Sequence, residues 1–92
     1  MTPIDNTDAL QKVCATGVGY IYNDFDGMTG GTGMDNVLHK ATCTTLANAT
    51  VPPRKYFSPD PAPMGAVTWL EANRGPENIR WKKCEANNPY CF

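Results

Sequence analysis

The chain has 92 residues, 41% of them hydrophobic, with two Trp, four Tyr and three Phe and a formal net charge of −1. That length leaves room for one domain and no second core, and that composition excludes overall disorder. The small net charge speaks against a nucleic-acid partner, which calls for a strongly basic face, and no apolar run approaches the ~18–20 residues of a membrane span.

Taken in chain order, residues 5–16 predict a short helix. Asp5, Asn6 or Thr7 can cap its first turn, Leu10, Val13 and Cys14 share a face, and Gly17 suits the position after the last turn. Residues 18–25 are the best strand candidate, with Val18, Tyr20 and Tyr22 on one side and Ile21 on the other. A loop with Gly27, Gly30, Gly31 and Gly33 follows; it lacks both the phosphate-loop and the dinucleotide glycine patterns. Asn23, Asp24, Asp26 and Asp35 surround it with oxygen ligands. Tyr22 and Gly33 would then occupy the first and last ligand positions of a calcium loop, which excludes an EF-hand.

Residues 34–47 predict a second helix, capped by Asp35, with Val37, Leu38, Ala41 and Leu46 forming its apolar side. Residues 51–63 hold five of the eight prolines, so they read as a stiff extended connection, neither helix nor central strand. Residues 64–74 carry helix signals at both ends: Asp60 as cap, Pro61 or Pro63 at entry, Met64, Val67 and Leu70 on one face, Gly75-Pro76 at exit. Their alternation also suits a strand in a hairpin with 78–85, and the helix is favoured. Residues 78–84 predict a strand, and 85–92 a tail pinned by Cys91. The sum is a single α+β domain over residues 1–92, with two to three short helices on a small antiparallel sheet.

An apolar interior this small is marginal, and cross-links are a common remedy. Cys14, Cys43, Cys84 and Cys91 are an even set in a short chain, a format that favours two disulfides in an exported protein. Three pairings are possible. A bridge closing residues 14–43 would contribute roughly 3.5 kcal/mol and one closing 84–91 roughly 2.5 kcal/mol in the chain-entropy model. His39 lies four residues before Cys43, a workable ligand pair on a helix, but there is no C-x2-C pair. The cysteines are therefore assigned to disulfides, and neither metal nor cofactor is assigned. Asn48-Ala49-Thr50 is a glycosylation sequon, compatible with export. The opening residues lack a signal peptide, and Met1 reads as an initiator placed before a mature segment.

Charge divides the chain. Lys12 and Lys40 face five aspartates before residue 54, a net −3; six basic residues face Asp60, Glu71, Glu77 and Glu85 after it, a net +2. Arg54-Lys55-Tyr56-Phe57 lies between two proline clusters, where a stiff loop loses little entropy on docking. Arg80 and Lys82 lie near Trp69 and Trp81, a basic and aromatic combination. The contact surface expected of a binding module is therefore Arg54 to Phe57 with Arg80 and Lys82. Two alternatives carry different chemistry. A ribonuclease-like hydrolase would use His39 as acid or base with Glu71 and Arg80. A substrate-like serine-protease inhibitor would present Arg54 or Lys55.

In its short chain, four cysteines and one sequon, the sequence resembles the small secreted effectors and killer-toxin-like proteins of fungi. The resemblance is one of format. It goes with a secreted protein that acts by contact with a host or competitor protein or surface ligand; the chain is expected to be a monomeric binding module, with an enzyme as the alternative.

Overall fold

A computed structural model describes residues 1–25, 36–85 and 90–92. The glycine loop, Asp26, and the Asp35 cap lie outside the described residues. The elements are β1 (Thr2–Ile4), α1 (Thr7–Thr16), β2 (Tyr20–Asp24), β3 (Val37–Lys40), a 3-10 turn (Thr44–Leu46), β4 (Arg54–Ser58), α2 (Met64–Asn73) and β5 (Lys82–Lys83). Among the described residues they form an α+β domain, two helices on a five-stranded sheet of order β1-β4-β2-β3-β5. The sheet is mixed, not antiparallel throughout as expected: β5 runs parallel to β3.

The helix ends follow local chemistry. Asn6 Oδ1 accepts the Ala9 amide at 2.8 Å, which caps α1, and Gly17 closes it with a left-handed φ of 68°. Gly75, at φ 101°, follows α2 as expected. Asp60 does not cap α2: its Oδ1 takes the Ala62 amide, and Pro63 begins the helix without a side-chain bond.

Two expectations are corrected. The described part of the expected 34–47 helix, residues 36–47, is not an α-helix. Val37–Lys40 is a strand, because it pairs residue for residue with Tyr20–Asn23. Nor is 51–63 merely a connection. Its prolines flank a proline-free run, Arg54–Ser58, which inserts between β1 and β2 as a central strand. The expected strand over 78–84 contracts to two residues, with Trp81 in an isolated bridge to Glu77.

Two crossovers place the helices. Both β1→α1→β2 and β4→α2→β5 advance the same way along the sheet, but they leave from strands of opposite direction. Right-handed crossovers must then put their helices on opposite faces. Accordingly, Ile4, Leu10, Ile21, Leu46 and the buried cysteines form one core beneath α1. Tyr20, Tyr22, Leu38, Ala66, Leu70 and Trp81 form the other beneath α2. Trp81 is fully buried, with its indole N–H donated to the Gly75 carbonyl at 2.8 Å. No helix among the described residues is long and apolar enough to cross a membrane.

Candidate functional site: a sulfur–imidazole cluster and a contact cleft

Strand alternation sends His39 to the α1 side, in register with buried Ile21. The turn after β3 brings Cys43 back beneath it, where the Cys43 amide bonds the Lys40 carbonyl. Parallel pairing of β5 with β3 sets Cys84 alongside, and the Cys84 amide donates to the Leu38 carbonyl at 2.9 Å. Cys91 comes from the C-terminal tail. One ligand atom each from His39, Cys43, Cys84 and Cys91 lies within 4.8 Å of every other.

The four cysteines stand as thiols. The sulfurs of Cys43 and Cys84 are 3.8 Å apart, well beyond the about 2.05 Å of a disulfide. The expected disulfide framework is therefore not displayed. Cys14 stands outside the cluster, half-buried in the last turn of α1, and opens to a cleft of about 380 Å³ shared with Cys43. Burial raises its pKa, with the neighbouring Cys43 adding to the rise.

Burial pushes the Cys91 thiol up to about 12, and its sulfur accepts backbone hydrogen bonds from Lys40 and Phe92, which favour the thiolate. Burial, reinforced by the Lys55 charge, lowers His39 to about 4, so its imidazole is neutral at pH 7. The Thr45 hydroxyl lies 3.2 Å from His39 Nδ1 and 3.0 Å from the Cys43 sulfur. Three thiols, which would lose their protons to a metal, and a neutral imidazole make a soft donor set, suited to a tetrahedral metal.

The tail is anchored on both sides of the sheet. Cys91 points into the cluster, while Phe92 stacks on Tyr20 at 5.6 Å with Lys40 and Lys83 over its ring. The Tyr90 carbonyl accepts the Thr42 hydroxyl at 2.6 Å.

A second site lies at the other end of the sheet. Ile4, Asp5, Val51, Pro52, Arg54 and Tyr56 line part of an open cleft of about 570 Å³. Arg54 is exposed, and its guanidinium is 3.5 Å from the Tyr56 hydroxyl. Tyr56 tilts against Trp69 at 5.1 Å, and Arg74 lies over Trp69 at 5.3 Å. Arg74 in turn pairs with the fully buried Asp24 carboxylate at 2.7 Å.

The expected contact residues do not form one surface. Arg54 and Tyr56 share the cleft. Lys55 is 3% exposed, with its ammonium donating to Asn23 Oδ1 and the Thr50 and Pro53 carbonyls. Phe57 packs half-buried against the α1 core. Lys82 lies three strand spacings away, roughly 14 Å, and is 3.3 Å from Glu85. Arg80 is exposed in the turn before β5. His39 and Glu71 are not brought together: His39 is on the α1 side, and Glu71 is exposed on α2 across the sheet. The cluster escaped the sequence reading because no short cysteine spacing announces it; the His39–Cys43 interval was its one visible trace. Asn48 of the sequon is exposed beyond the 3-10 turn. Comparison with protein-family models, curated proteins and solved structures finds no match.

Proposed function

We propose that this chain is a small exported contact protein of the effector or toxin type, non-enzymatic and monomeric, acting on a host or competitor protein. The observation that carries this reading is the cleft at the β1–β4 end, where Arg54 and Tyr56 stand beside an apolar wall of Ile4, Val51 and Pro52. Arginine and tyrosine over an apolar floor are the side chains that dominate protein contacts. β1 adds an edge strand to the same end of the molecule. The exposed Asn48 sequon is compatible with export.

Neither alternative gathers comparable support. The hydrolase reading needs His39 and Glu71 together, and the sheet lies between them. The inhibitor reading loses Lys55 to burial and keeps Arg54 in a paired strand, not on a protruding loop.

The test uses Arg54→Glu and Tyr56→Ala, each checked for native circular dichroism. Both should weaken binding to the partner recovered from host or competitor material at least about tenfold, while Glu71→Gln leaves it unchanged. Equal binding by all three variants overturns the cleft. RNA cleavage lost in His39→Gln, or stoichiometric trypsin inhibition lost in Arg54→Gln, overturns the non-enzymatic contact reading.

A further inference from the structure

We propose that His39, Cys43, Cys84 and Cys91 form a tetrahedral zinc site that ties β5 and the C-terminal tail to the sheet. The inference goes beyond the contact reading and does not depend on it, because the cleft lies at the β1–β4 end and the cluster at the β3–β5 end.

The geometry is that of a ligand set. Two sulfurs each about 2.3 Å from a tetrahedral zinc stand about 3.8 Å apart. Cys43 and Cys84 already stand at 3.8 Å. All four donor atoms lie within 4.8 Å of one another, so the widest pair has about 1 Å to close. Three of the four residues are buried, and three sulfurs with one nitrogen match a structural zinc centre. The Thr45 hydroxyl contacts both His39 Nδ1 and the Cys43 sulfur. Such outer contacts orient ligands in metal sites. A disulfide would draw one sulfur pair together and leave the third sulfur and the imidazole buried beside it.

The ligands also come from where a cross-link is most useful. β5 has two residues and two register pairs, too few to hold an edge by itself. A metal at this point joins β3, the turn after it, the end of β5 and the tail. On binding, each coordinating thiol gives up its proton to solvent, and the imidazole binds as the neutral base.

The experiment is titration of the reduced full chain with cobalt(II) and then zinc(II), with iodoacetamide counting of reactive thiols and circular dichroism on the same samples. The expected result is one cobalt per chain with tetrahedral thiolate bands, displaced by one zinc. In the zinc form one thiol, Cys14, reacts; after chelation four react. Cys14→Ser should keep the cobalt spectrum and leave no reactive thiol. His39→Ala should weaken zinc at least about 100-fold, since even the loss of an outer-shell partner costs 10–100-fold. Absence of tetrahedral bands in folded protein overturns the proposal. So does unchanged zinc affinity in His39→Ala. A protein isolated without reductant that is about 4 Da light, metal-free and without reactive thiols overturns it in favour of two disulfides.

Discussion

Lys55 illustrates how burial redirects a side chain. An ammonium in a central strand is costly to desolvate, and burial lowers its pKa from the ordinary 10.5. Its three oxygen partners offset that cost, and two of them are carbonyls in the loop leading into β4. Lys55→Met should therefore cost about 2 kcal/mol, since the Thr50 and Pro53 carbonyls lose a charged donor. Urea unfolding measures this; a variant as stable as the parent would show that the three bonds contribute nothing. The same burial explains why Lys55 is no contact residue although its neighbour Arg54 is one. Sequence shows the order of charges along β4, but only the pleat decides which of them reach water.

Among the elements, the helices were the more legible. Asn6, Gly17 and Gly75 act within a few residues of where they stand, so their signals survive in any fold. β3 was misread because Val37, Leu38 and Ala41 satisfy a helical spacing, whereas its strand form depends on β2, fourteen or more residues earlier. β4 was misread because prolines on both sides obscured the five residues between them. Gly19, just before β2, ties this sheet together. It has φ 97°, and a Cβ there would lie 2.3 Å from the Ser58 carbonyl oxygen of β4. Gly19→Ala should cost about 3 kcal/mol or more, because strain and a backbone clash combine. Gly75→Ala, at φ 101° but with nothing within 4 Å of its Cβ, should cost only about 1–2 kcal/mol. Thermal unfolding of the two variants checks the ranking; equal losses would place Gly19 farther from β4.

At the scale of the molecule, one sheet separates two cores and two sites. The separation keeps His39 from Glu71 and leaves the contact cleft and the sulfur–imidazole cluster at opposite ends. The α+β class could be read in the sequence; the cluster could not, because its four donors come from residues 39 to 91 and meet only once β5 lies beside β3. In this account the cluster is what fastens β5 and the tail. Amide hydrogen exchange, compared between zinc-loaded and chelated protein, tests that most directly. Zinc should slow exchange at least about tenfold at the Lys82 and Cys84 amides, which bond Asn36 and Leu38, and leave β2 and β4 nearly unchanged. Equal exchange at Lys82 and Cys84 with and without zinc would contradict it.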